Sequence, residues 1–206
     1  MAARLAELLA ARAAEAFDRR DRPANALAGD ADAIAHACHA MAIRFADGGR
    51  LVVFGGGASS CDAAHVVVEF VHPVIVGKRA LPAFALPGPD LAGQIGLLAD
   101  PHDIALGIST GPATGVVPNP VADALLVGGR AGLLTVGMFG GAVAGDAAAG
   151  DAAAEDAAAE DVAEHLFVVP STDPLVVKEV QVTTYHLLWE LVHVFAEWSD
   201  RSGAAR

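Results

Sequence analysis

The chain has only two cysteines, Cys38 and Cys61, in 206 residues, too few and too far apart for a disulfide framework and without a Cys-x-x-Cys pair. This fits a reducing cytosol, with both thiols expected as small buried apolar groups. Basic residues are also scarce: 13 Lys and Arg stand against 25 Asp and Glu, a net charge of −12. Such a chain repels nucleic acid and anionic membrane surfaces alike. Seven of those 25 acids fall between Asp146 and Glu164, a stretch without Lys or Arg, so the remainder carries only −5. No uninterrupted apolar run reaches the roughly 18 residues of a membrane span. Arg4, Glu7 and Arg12 break the N-terminus, which reads as an amphipathic helix and not as a signal peptide. A nucleotide fingerprint is missing as well. Ser60 stands where the third glycine of a dinucleotide-binding loop belongs, and no Gly-Lys-Ser/Thr occurs, so no nucleotide cofactor is expected.

What is present is 54% hydrophobic and long enough for one well-buried domain spanning 1–206. Residues 1–48 form its helical lead-in, with apolar residues at helical spacing over 3–19 and 31–47 and a turn-rich "RDRPANALAGD" between them. Five short apolar runs follow: "LVVFG", "LPAFAL", "DIALGIS", "LLTVGMFG" and "HLFVVP". They lack the alternation of half-exposed strands, and most are separated by enough chain for a crossover helix. The expected fold is α/β: a doubly wound, five-stranded parallel sheet flanked by helices. Asp173 as N-cap and Pro174 as first helical residue open a long last helix, expected to reach about Trp198. Between the fourth and fifth apolar runs, 145–164 repeats GDAAA and EDAAA every five residues. That spacing spreads acids around a helix and leaves no apolar stripe to dock, so it reads as a solvated insertion.

Ligands of open parallel sheets sit beyond the strands' carboxyl ends. Two such ends carry polar loops. In "FGGGASS", Gly57 and its neighbours permit close backbone approach, while Ser59 and Ser60 offer hydroxyls before a helix N-terminus; the loop is either an anion cradle or a tight turn. "ISTGPATG" supplies Ser109, Thr110 and Thr114, either to complete a phosphate cradle or to cap its own backbone. His65 and Glu69, four apart on the next helix, project from one face; they and His186 are either packing residues or a site. His193, nearer the end of the last helix, reads as a cap or dipole residue.

Together, "VVFGGGASSCDAAHVVVEF", "KRALPAFAL", "DIALGISTGPATG" and "VVPSTDPLVVKEVQVTTYHLLWELVH" resemble the sugar isomerase (SIS) domain, and within it the phosphoheptose isomerase branch, over about residues 31–197. The resemblance implies a flavodoxin-like SIS fold. It also implies a homotetramer with active sites between subunits, converting sedoheptulose 7-phosphate to a heptose 7-phosphate, often with zinc. Carried over by position, Ser59, Ser109, Thr110 and Thr114 hold phosphate, and His65, Glu69 and His186 fall on metal or acid–base positions. Glu69 is then the base and His186 serves the oxygen end.

The chain departs from the family pattern in places. Gly56 replaces a loop Asn, Gly111, Pro112 and Ala113 weaken the second phosphate loop, and "LPGPDLAGQIGLLADPHD" is short and lacks an Asn-Asp pair. Lys178 replaces a metal-binding Gln; its ammonium has no lone pair for a metal, so the site either loses the metal or uses three protein ligands. Lys178 is then either a cation for the substrate or a solvated helix lysine. Positions 178 and 186 lie about 12 Å apart along one helix, so a small ligand is expected to meet them from different subunits. The alternatives to an isomerase are a non-catalytic SIS module that binds a sugar phosphate or a protein, and an assembly protein.

Overall fold

A computed structural model describes residues 1–115, 117–141 and 161–202. Helices α1 (Ala2–Ala28) and α2 (Ala31–Ala46) lead into β1 (Leu51–Gly55), α3 (Ser60–Val71), β2 (Ala83–Ala85), α4 (Leu91–Leu98), β3 (Ile104–Ile108), α5 (Pro120–Arg130), β4 (Leu134–Gly141), β5 (His165–Pro170) and α6 (Pro174–Ser202). The five strands form one parallel sheet in the order β2-β1-β3-β4-β5. Leu51 pairs with both Ala83 and Ile104, Ile104 with Leu134, and Val136 with His165. All five expected strands are present. Most of the 145–164 insertion lies outside the described residues.

The unbroken hydrophobicity of the central strands reflects burial on both faces. Leu51, Val53, Leu106 and Val136 face a core built with Met41 of α2, Phe70 of α3 and Leu188 of α6. Val52, Phe54 and Ala105 face the opposite core, with Ile95 of α4 and Leu125 of α5. The sheet is therefore wound on both sides, with α2, α3 and α6 on one face and α4 and α5 on the other.

Three expectations need correction. The first helix does not end with the apolar spacing at residue 19 but runs through Pro23 to Ala28. Pro23 and Leu27 bury on one face, and Arg20 pairs with Glu179 of α6, so tertiary packing outweighs the lost hydrogen bond of an internal proline. Cys61 is exposed, whereas Cys38 is buried as expected. The last helix extends past Trp198 to Ser202, and its start has the foreseen cap, with Leu175 N–H donating to Asp173 Oδ1 at 3.0 Å.

The loop before β3 is tied down by charge. Asp103, 2% exposed, accepts from the backbone N–H of Arg50 (2.8 Å) and of Asp100 (3.0 Å) and from the Arg50 guanidinium (2.6 Å). Burial pushes the Asp103 carboxyl up, but the Arg50 side chain and these two backbone donors outweigh it and hold the group below its ordinary value.

Candidate active site

β1 and β3 are neighbours whose following helices, α3 and α5, lie on opposite faces of the sheet. A crevice must open beyond their carboxyl ends. It is a cleft of about 640 Å³ whose walls include Gly56, Gly57, Ser109, Thr110, Thr114 and Asn119. Glycine is required at two points of the β1–α3 turn. A Cβ at Gly55 would lie 2.4 Å from the Ser59 carbonyl oxygen, and Gly57 has φ +55°.

Ser109 Oγ accepts from Gly111 N–H at 3.2 Å and from Asn119 Nδ2 at 3.0 Å. With both acceptor sites used, its own proton is left to donate. Asn119 lines the cleft, a position that the motifs do not single out. It caps α5 by accepting from Val121 N–H at 3.1 Å, and its Nδ2 also reaches the Pro112 carbonyl at 2.7 Å. The signal was available: Asn-Pro before an apolar run is a helix-start signature.

Of the remaining loop candidates, Ser59 is 2% exposed, Ser60 Oγ donates to the Gly57 carbonyl at 2.8 Å, and neither lines the cleft. Lys178 is outside its walls too. It forms an ion pair with Asp62, itself 6% exposed, and its Nζ stands 3.4 Å from the Ala58 carbonyl. The ammonium thus clips α6 to the start of α3 and to the Gly-rich turn, and is not a freely solvated helix lysine.

Farther along α3 the picture changes. His65, Glu69 and His186 present ligand atoms that all lie within 4.8 Å of one another. His65 Nε2 is 3.2 Å from Glu69 Oε1, and the two imidazole centroids are 5.2 Å apart. The i,i+4 spacing aligns His65 and Glu69 on α3. α6 runs beside α3 in the same direction, pairing 178 with 62, 185 with 65 and 189 with 69. That register delivers His186 to the triad from the same chain. Lys178 meets Asp62 three residues before His65, so positions 178 and 186 engage different levels of one helix.

Three more residues of α6 shape the site and were not foreseen. Tyr185, 1% exposed, places its phenol oxygen 2.9 Å from His65 Nδ1. Burial, then the nearby Asp62 and Glu69, push its hydroxyl up to about 12, so it stays protonated. Trp189 donates its indole N–H to the Glu69 backbone carbonyl at 2.7 Å. Gln181, 1% exposed, donates from Nε2 to the Ser109 carbonyl at 2.8 Å, tying the helix of the triad to the cleft, while its Oε1 has no hydrogen-bond partner among the described residues. In the sequence these three are merely polar or aromatic residues inside an apolar helix. His193, expected as a helix-end residue, is instead 2% exposed inside α6 and joins the Trp189 and Arg79 carbonyls at 2.8 and 3.0 Å.

The donor set fits a catalytic divalent metal: two imidazoles and a carboxylate, half-exposed at His65, are the three-ligand pattern that leaves one coordination position open. Lys178, held by Asp62, does not enter this set.

No protein-family model matches the chain. It is similar to the phosphoheptose isomerase of Maridesulfovibrio salexigens, 30% identical over 171 residues that cover 76% of this chain and 75% of the relative. To that of Solidesulfovibrio magneticus it is 32% identical over 179 residues, 79% of this chain and 78% of the relative. Among solved structures, a phosphoheptose isomerase from Francisella tularensis superimposes with a TM-score of 0.71 at 21% identity, covering 88% of this chain and 96% of that one. One from Neisseria gonorrhoeae gives 0.69 at 18% identity, covering 89% and 98%. These two share its fold.

Proposed function

Because the chain belongs to the phosphoheptose isomerase family, we propose that it interconverts a ketose and an aldose phosphate, with sedoheptulose 7-phosphate as substrate and a heptose 7-phosphate as product. The observation that carries this reading is the gathering of His65, Glu69 and His186 at one point of the α3–α6 face, on the helix that starts at the cleft.

The phosphate end belongs in the cleft. Backbone groups around Gly57 at the start of α3, the Ser109 hydroxyl, Thr110 and Thr114 are the donors. Among the described residues no Lys or Arg lines the cleft, so recognition rests on amides, hydroxyls and the α3 dipole. Ser59 and Ser60 shape the turn from behind, and Lys178 fixes it through Asp62 and Ala58. His65 lies five residues into α3, about 7.5 Å along its axis, a span suited to an extended heptose backbone.

At the reacting end a base takes a proton from C1 of the ketose, an enediolate forms, a proton returns to C2, and another passes between O1 and O2. Glu69, only 15% exposed, is the base. His186 serves the oxygens. Zinc is the metal that His65, Glu69 and His186 are suited to hold, and when bound it supplies polarisation of the carbonyl oxygen. A carboxylate has two oxygens, so Glu69 can offer one to a metal and keep the other for the proton.

The active form is a homotetramer acting in the cytoplasm. Exposed Leu5, Leu8, Leu9 and Phe17 on α1 and Trp198 on α6 are apolar surface for subunit contact. Among the described residues no helix is long and apolar enough to cross a membrane. The test is turnover of sedoheptulose 7-phosphate by the purified protein before and after chelation and after zinc is restored. Metal-dependent turnover supports the reading. Saturable binding without turnover makes the chain a binding module instead.

A further inference from the structure

Tyr185 is given no role by the sequence motifs, yet it touches the triad from inside the protein. Its phenol oxygen is 2.9 Å from His65 Nδ1, and its ring packs edge-on against His65 and His186, with centroids 5.5 and 4.9 Å away. The other nitrogen of His65, Nε2, faces Glu69 Oε1 at 3.2 Å. The imidazole is thus held at both nitrogens by partners of different character. A carboxylate only accepts, whereas a phenol both donates and accepts.

This difference matters because a neutral imidazole has one proton for two nitrogens. With no metal bound, Nε2–H donates to Glu69 and the Tyr185 O–H donates to Nδ1. A metal at Nε2 requires the lone pair there, which moves the proton to Nδ1. Nδ1–H then needs an acceptor, and the Tyr185 oxygen becomes one by rotating only its hydroxyl hydrogen. No heavy atom has to move. A histidine ligand is held and made more basic by such a partner on its second nitrogen.

Resting on the reading of the triad as a divalent-metal site, we infer that Tyr185 is a positioning residue that keeps the His65 ring fixed in both tautomers and so prepares Nε2 to ligate the metal. Its ring packs edge-on against both histidines, and its oxygen serves whichever proton arrangement His65 adopts.

The full-length protein and Tyr185→Phe, which keeps the ring and removes the oxygen, are titrated with Zn²⁺ and with Co²⁺, the latter followed by its visible absorption. The expected result is one metal per chain in both, bound about 10- to 100-fold more weakly by the variant. Equal affinities in two folded proteins overturn the role of Tyr185 and leave the metal site standing. A wild-type protein that binds neither ion at the triad overturns the metal reading and this inference with it. Long-range ¹⁵N–¹H NMR of the imidazoles in zinc-loaded wild type needs no variant. It should place the His65 proton on Nδ1, and a proton on Nε2 contradicts the inference.

Discussion

The indole N–H of Trp189 donates to the backbone carbonyl of Glu69 at 2.7 Å. In an uninterrupted helix that carbonyl would accept from the residue four positions on, which is Pro73 and has no N–H. Trp189 therefore satisfies an orphan at the end of α3 and fixes α6 at the level of the triad. Trp189→Phe should keep most of the packing but leave this acceptor unpaired, costing about 1–3 kcal/mol in urea unfolding. Loss of less than a few tenths would mean that water replaces the indole.

The ion pair of Lys178 with Asp62 gives a second expectation. Lys178→Met leaves a buried carboxylate without its cation and should destabilise by about 1–3 kcal/mol, discounted from a fully buried pair because Lys178 is about one-third exposed. Adding Asp62→Asn to that variant should recover part of the loss, as a double-mutant cycle measures.

Ser109 offers a test of the cleft. Ser109→Ala removes a hydroxyl whose acceptor sites are both filled from within the loop. KM for the sugar phosphate should rise about 10-fold or more, as loss of a hydrogen bond to a charged group implies, with a smaller change in kcat. An unchanged KM would place the phosphate elsewhere.

Acid stability should report Asp103. Its folded-state value lies below the ordinary carboxylate value, so its contribution is present above about pH 3.9 and lost as pH falls through the folded value. Asp103→Asn should be less stable than wild type at neutral pH, and the gap should narrow in acid. A gap that stays constant from pH 7 down to the acid limit would contradict the assignment.

Thiol chemistry separates the two cysteines. Burial pushes the Cys38 thiol up to about 12, and its Sγ faces the Leu188 carbonyl, whereas Cys61 is exposed at the start of α3. A thiol reagent should modify one cysteine per native chain, Cys61, and both after denaturation.

The strands were legible because burial on both faces leaves unbroken apolar runs, and Asp173-Pro174 marked the last helix because capping is local chemistry. Pro23 misled because its cost is local and its compensation, the Arg20–Glu179 pair and the burial of Leu27, is not. His65 and Glu69 could be paired from their spacing alone. His186, Tyr185 and Trp189 reach them only through the α3–α6 register, which no local pattern contains. The same register explains Lys178, whose partner Asp62 lies 116 residues away in sequence.

The most direct test of the account follows sedoheptulose 7-phosphate in D₂O by NMR, with zinc-loaded wild type beside Glu69→Gln prepared in the same way. The account predicts an aldose phosphate carrying deuterium at C2, formed about 10²- to 10⁴-fold more slowly by the variant. A folded, zinc-loaded wild type that leaves the ketose unchanged, or a variant that matches it, would contradict the account.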